Sequence, residues 1–359
     1  MKKRYLLLIP VVACIVLSAA AIGYIQFHPD RAPAGAEFLV RTSNDAEQQT
    51  KEPEAQPLTA SQKRANELLD AMTLEQKLYQ MMFVTPEALT QTKQVVRAGT
   101  ATQEAIEKRP VGGVLYTRQS LQGKAQIKDM LSNTQSYAEA SKSGVPVFLG
   151  VQEQGGSNAP VAQALRTKSI LNAAESTDEQ TAYALGQTIA QELSGVGFTV
   201  NLAPAVGDDA DIASGEIKGL QKNHVLSAVS AFPGEDEENL SAFEACIKQK
   251  PAFMIVTNAQ NKMYDTVPCS VSSKVMTDLL RKKLNYTGII MTDALQDTAL
   301  TEQYTEGEAA VLAVQAGADM LLVYRALFQA VSDGKLTEQR IDDSVQRILT
   351  AKIDSGLIA

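Results

Sequence analysis

Tryptophan is absent from the 359 residues, histidine occurs twice and cysteine three times. Each shortage closes off chemistry. Two histidines, His28 and His224, cannot build an imidazole-rich centre, and no His/Asp/Glu cluster has ligand spacing, so no metal or other cofactor is expected. Cys14, Cys246 and Cys269 have no paired spacing, which excludes a disulfide framework and a zinc site and leaves ordinary reduced thiols. A net charge of −8, with no basic aromatic-rich stretch, argues against nucleic acid as a partner. No Gly-x-Gly-x-x-Gly follows the first strand-like run, which counts against a dinucleotide fold. No lysine stands at the upper end of a strand-like run, where a Schiff-base aldolase would need one.

What is present begins with an anchor. Lys2, Lys3 and Arg4 precede an apolar run from Leu6 to about Phe27, long enough for a bilayer's hydrocarbon core, with the basic flank on the cytoplasmic side. Residues 1–27 are therefore expected to be a transmembrane anchor or signal segment, giving a single-pass protein at the cell membrane with its C-terminal part extracellular. Two alternatives stay open. Val11-Val12-Ala13-Cys14 resembles a lipobox and would make a lipoprotein of Cys14, and Ser18-Ala19-Ala20-Ala21 offers small residues for a cleaved signal and secretion. Residues 28–57 are rich in Ala, Glu, Gln, Pro and Asp with no apolar period, so they are expected to be a flexible stalk.

Residues 58–359 have the patterning of a folded α/β unit, and a hydrophobic content of 45% supplies its core. Helical spacing starts near Ser61, and Thr73-Leu74-Glu75-Gln76-Lys77 opens a second helix. Strand-like runs then recur at Met81–Val84, Gly113–Tyr116, Val147–Val151, Phe198–Leu202, Val225–Phe232, Phe253–Thr257, Gly288–Thr292 and Met320–Tyr324. Amphipathic segments alternate with them, among them Lys124–Ser141, Thr177–Leu193, Asp211–Lys222, Leu240–Lys248, Val271–Leu284, Glu306–Ala316 and Thr337–Ser355. Eight such repeats predict a TIM (β/α)8 barrel in preference to an open doubly wound sheet.

A barrel puts its chemistry at the C-terminal ends of its strands. Asp293 ends the run Gly288-Ile289-Ile290-Met291-Thr292 at that position, which makes it the first candidate for a reacting group. The competing reading is that Asp293 only caps the following helix. His28 falls in the stalk and His224 just before the fifth run, at the opposite end from the chemistry.

With these residues placed, the chain resembles the N-terminal barrel of glycoside hydrolase family 3, in its bacterial β-N-acetylhexosaminidase branch. The resemblance covers nearly all of residues 58–359 and rests on an ordered set of motifs. They are Met72-Thr73-Leu74-Glu75-Gln76-Lys77 with Gln80-Met81, Arg109-Pro110-Val111-Gly112-Gly113-Val114-Leu115-Tyr116 and Val151-Gln152-Glu153-Gln154-Gly155-Gly156. Further on come Gly197-Phe198-Thr199-Val200-Asn201-Leu202-Ala203-Pro204, Phe232-Pro233-Gly234 and Leu284-Asn285-Tyr286-Thr287-Gly288-Ile289-Ile290-Met291-Thr292-Asp293.

The resemblance implies a retaining glycosidase acting on carbohydrate, with glycan or peptidoglycan fragments as partners and Asp293 on the nucleophile position. It also implies a depleted site. Gln152 stands where the family has an Asp that grips sugar hydroxyls, and Ser157 replaces an Arg. Ser230-Ala231-Phe232-Pro233-Gly234-Glu235-Asp236-Glu237 lacks the family's Lys and both His, and the loop carrying the family's Asp-Ser-His has no counterpart. Glu235 and Asp236 are the remaining candidates for the acid, with a solvated helix start as the plainer reading. Gln152, Glu153 and Asn201 are candidate substrate contacts. Three readings remain: an active surface glycosidase, an inactive glycan-binding module and a protein-interaction scaffold. Protease added to intact cells is expected to shed a fragment that begins within His28–Pro57; protection of the whole chain would refute the anchor-and-stalk reading.

Overall fold

Eight parallel strands carry the architecture: β1 Met82–Val84, β2 Gly113–Tyr116, β3 Phe148–Val151, β4 Val200–Asn201, β5 Leu226–Phe232, β6 Phe253–Val256, β7 Ile289–Thr292 and β8 Leu321–Val323. They are seen in a computed structural model that describes residues 57–171, 176–204, 209–234, 237–323 and 336–359. The strand order is β7-β6-β5-β4-β3-β2-β1-β8, so neighbours in sequence are neighbours in the sheet. β7 and β8 are joined by one parallel bridge, Met291 to Met320, making the barrel nearly closed. At that seam the Thr292 amide donates to Met320 O at 3.1 Å and the Met320 amide to Ile290 O at 3.0 Å.

The principal helices follow the strands around the outside: α1 Ala60–Asp70, α2 Leu74–Gln80, α3 Lys124–Ala140, α4 Glu179–Val196, α5 Ala210–Lys222, α6 Glu237–Lys248, α7 Glu306–Ala316 and α8 Glu338–Asp354. α1 and α2 both open with a capping box, in which Thr59 and Thr73 accept from the Gln62 and Gln76 amides and the Gln side chains return the bond. One expected helix differs: Val271–Leu284 forms a 3-10 turn, Cys269–Val271, followed by a π-helical segment, Lys274–Lys283. Residues 1–56, which hold the expected membrane span and nearly all of the stalk, lie outside the described residues. Among the described residues no helix is long and apolar enough to cross a membrane.

Large and small side chains alternate inside the barrel. Phe83, Phe148 and Phe253 meet edge to face, with ring centroids 6.4 and 5.1 Å apart. Gly113 and Gly150 make the room, since a Cβ on either would lie 2.6 or 2.7 Å from the Phe83 ring. The lower end, at the strand N-termini, is sealed by α8. Its fully buried Lys352 donates to Gln80 Oε1 at 2.8 Å and lies over the Phe148 ring, and burial pushes the Lys352 ammonium well below the usual lysine range. Filling and sealing of this kind make the interior a packed core and leave the upper rim for a site.

α4 and α5 pack backbone to backbone. A Cβ added at Gly219 would lie 2.3 Å from Tyr183 O and 2.7 Å from the Gln187 amide, whereas one at Gly195 meets nothing within 4 Å. The pair gives a stability test. Gly219→Ala should destabilise by about 1–3 kcal/mol through overpacking, despite alanine's higher helix propensity. Gly195→Ala should stabilise by up to about 1 kcal/mol. Urea midpoints that move the same way in both variants would contradict this packing.

Candidate active site at the upper rim

The end of β7 is held from both sides, by β6 and by β8. The Asp293 amide donates to Val256 O of β6 at 2.9 Å, and the Leu295 amide donates to Leu322 O of β8 at 3.1 Å. Between them, Thr292 Oγ1 accepts from the Leu322 amide at 3.2 Å. Asp293 is half-buried, and its Oδ1 accepts from the Ala294 amide at 2.7 Å. Burial raises the proton affinity of the Asp293 carboxyl above the usual Asp range, the Ala294 amide opposes that shift, and the charge of Asp297 adds to it. The helix-capping role belongs to Asp297, whose Oδ1 accepts from the Ala299 amide at 3.0 Å at the start of Thr298–Thr301. Asp293 is thus a strand-end carboxylate with no helix to cap.

Glu153 and Asn201 are brought together, and both are turned inward. Asn201 closes β4 at 0% exposure; its Oδ1 accepts from the Glu153 amide at 2.9 Å and its Nδ2 donates to Glu153 O at 2.8 Å. The Glu153 side chain, 1% exposed, accepts from the Val161 and Ala162 amides at 2.8 and 3.0 Å, at the start of the short helix Pro160–Leu165. Burial pushes the Glu153 carboxyl up to about 7 against the pull of those two amides. These two residues lock the β3 and β4 ends together and hold the loop that follows β3.

Gln152 points the other way. It is exposed and lines, with Arg118, Gln154 and Asn158, a shallow cleft of about 340 Å³ above β2 and β3. Arg118, just past β2, donates to Ser157 O at 3.2 Å. It is a rim cation that motif reading passed over, although its place two residues after Tyr116 marks it as a strand-end residue. Among the described residues no hydrogen bond or ion pair joins Asp293 to Gln152, Glu153 or Asn201. Glu235 and Asp236 lie outside the described residues. The fifth top-face loop is short, since β5 ends at Phe232 and α6 opens at Glu237. His224 lies below, in the turn before β5. Among the described residues no group of three or more His, Cys, Asp or Glu could hold a metal ion.

The glycosyl hydrolase family 3 N terminal domain matches this chain over residues 73–241 and 236–351. The chain belongs to that family. Family membership accounts for the barrel. β-Hexosaminidase A of Pseudoalteromonas piscicida is 25% identical over 325 residues, covering 69% of this chain and 54% of that protein. A periplasmic β-glucosidase/β-xylosidase of Dickeya chrysanthemi is 26% identical, covering 82% of this chain and 58% of that protein. The chain therefore spans just over half the length of these curated relatives. Among solved structures, the family 3 β-N-acetylglucosaminidase of Paenibacillus sp. str. FPU-7 superposes with a TM-score of 0.70 at 25% identity, over 80% of this chain and 64% of that one.

The Glu153 carboxyl gives this family member a pH signature. Its folded-state value, about 7, lies above its ordinary value of 4.5, so the unfolded chain gives up this proton first as pH rises. Its contribution is complete below about pH 4.5 and is lost as pH rises through about 7. Glu216 in α5, pushed up to about 7 by burial, acts in the same window, so the test is a difference. Urea unfolding of wild type and Glu153→Gln from pH 4 to 8 should show the wild type losing stability relative to the variant by about 1–3 kcal/mol. Parallel profiles would refute the assignment.

Proposed function

We propose that the barrel mouth is a carbohydrate site of the β-N-acetylhexosaminidase type in which the nucleophile is kept and protonation of the leaving group is not. The single observation that carries this reading is the setting of Asp293, the strand-end carboxylate with no helix to cap, held by the Ala294 amide on a pinned loop. Ionised, it can attack an anomeric carbon, expelling the aglycone and forming a glycosyl ester that water then hydrolyses. Departure of an ordinary sugar alkoxide needs a proton, and among the described residues no histidine is at hand to supply it, since His224 lies below, in the turn before β5. General acid help is worth about 10²- to 10⁴-fold, and absent grips on the sugar cost further through lost orientation.

Membrane attachment belongs to the same proposal. The basic Lys2–Arg4 and the apolar run from Leu6 to Phe27 support an anchor that displays the barrel outside the cell, facing cell-surface glycan. A second reading, a glycan-binding module without turnover, is favoured by the inward commitment of Glu153 and Asn201, which leaves the cleft above β2 and β3, lined by Gln152, Arg118, Gln154 and Asn158, as the polar surface open to a glycan.

The readings separate on an activated substrate. A dinitrophenyl N-acetyl-β-glucosaminide needs little protonation, so the purified protein should turn it over slowly, and Asp293→Asn should abolish that turnover. Ordinary alkyl glycosides should be cleaved at least about 10²-fold more slowly than by a site with its acid intact. Efficient cleavage of an unactivated glycoside would overturn the proposal and make Glu235 and Asp236 the residues to substitute next. No turnover of the activated substrate would leave the binding module.

A further inference from the structure

Asn258 lies two residues beyond β6, 2% exposed, on the loop that faces the Asp293 turn. Its Nδ2 donates to Ala294 O at 2.7 Å. That carbonyl belongs to the peptide joining Ala294 to Leu295, whose N–H donates to Leu322 O at 3.1 Å. The peptide is therefore fixed at both ends, by Asn258 on one side and by β8 on the other. The peptide before Asp293 is fixed as well, through its N–H to Val256 O at 2.9 Å. Between these two anchored planes lies the Asp293–Ala294 peptide, and its N–H holds Asp293 Oδ1 at 2.7 Å.

The Asn258 amide is used one-sidedly. Among the described residues its buried Oδ1 has no hydrogen-bond partner, although a buried polar atom without one opposes folding. An apolar side chain of similar size would avoid that cost but would supply no donor to Ala294 O. The donated bond is the asparagine's contribution here, and it acts on the turn that carries the reacting group.

We infer that Asn258 is a positioning residue for Asp293: by fixing the carbonyl of Ala294 it holds the neighbouring amide that orients the carboxylate toward the mouth. This inference rests on Asp293 as the nucleophile. Without the Asn258 donor, the plane that ends at Ala294 O can rotate, and the Ala294 N–H is no longer held on Oδ1. An oriented amide favours the ionised carboxylate, so its loss raises the proton affinity of Asp293 further, on top of burial and the field of Asp297, the charged group that acts on it.

The test uses the full-length protein with Asn258→Ala and Asn258→Asp, the latter matching asparagine in size while lacking the donor. With the dinitrophenyl N-acetyl-β-glucosaminide, both variants should lose about 10- to 100-fold in kcat with little change in KM. The acidic limb of the kcat profile should move to higher pH. Asn258→Ser, which keeps a hydroxyl donor, should recover part of the loss and serves as the test variant if the other two fail to fold. Wild-type kcat and an unmoved acidic limb in folded variants would overturn the inference. Should wild type itself show no Asp293-dependent turnover, the catalytic reading fails separately. The role of Asn258 is then read from the 13C carboxyl titration of Asp293, assigned with Asp293→Asn: an upward shift in the variants supports it, and an unchanged curve overturns it.

Discussion

One buried carboxylate at the foot of the barrel, Asp319, ties the last two strands to the elements around them. Its Oδ2 accepts from the Ile290 amide of β7 at 3.0 Å and from Arg281 Nη2 at 2.5 Å. Its Oδ1 accepts from Ser344 Oγ at 2.9 Å and Arg347 Nη1 at 3.0 Å, both on α8, with Arg340 Nη1 at 3.7 Å. A fully buried Asp facing three guanidinium groups is a net cationic cluster. Removing the Asp319 carboxylate would leave the Ile290 amide, Ser344 and three partly exposed guanidinium groups without their shared acceptor, a loss that solvent reaching the arginines keeps below that of a fully buried pair. The cluster anchors β7 where the sheet has least support, at the seam closed by one bridge. Asp293 rides three residues above Ile290, so the placement of the candidate nucleophile depends on this ion cluster at the opposite end of the same strand.

The upper rim divides its polar groups between holding and facing. Glu153, Asn201 and Asn258 all sit at strand ends, where a barrel enzyme keeps its substrate contacts, yet each spends its hydrogen bonds on the backbone of a neighbouring loop. Gln152 and Arg118 face outward on the cleft above β2 and β3. This division gives the rim its rigidity and leaves the cleft above β2 and β3 as its outward-facing polar surface.

The strands were legible because each is a short, largely apolar run bounded by polar loops, buried throughout in every strand but β5, and all eight runs became strands with ends shifted by at most two residues. α7 was legible to its last residue, since Thr305 caps it and Gly317 ends it. Residues 271–284 misled because apolar spacing near 3.6 does not distinguish an α-helix from a π-helical segment with a longer hydrogen-bond step. In the site, Asp293 could be read from its place at a strand end. The inward turn of Glu153 could not, because its partners, Val161 and Ala162, are supplied by how the following loop folds back. Asn258 left no trace in the sequence for the same reason: its partner is the carbonyl of Ala294, and a bond to a backbone atom imposes no pattern on side chains.

The central claim is that the nucleophile survives without its acid, and the dependence of rate on the leaving group measures that directly. Across a series of aryl N-acetyl-β-glucosaminides, a site lacking acid assistance places the full developing charge on the departing oxygen. The account predicts that log kcat for glycosylation of Asp293 falls steeply and linearly as the pKa of the leaving phenol rises. A shallow dependence, with poor and good leaving groups cleaved at similar rates, would show that a proton is being delivered and would contradict it.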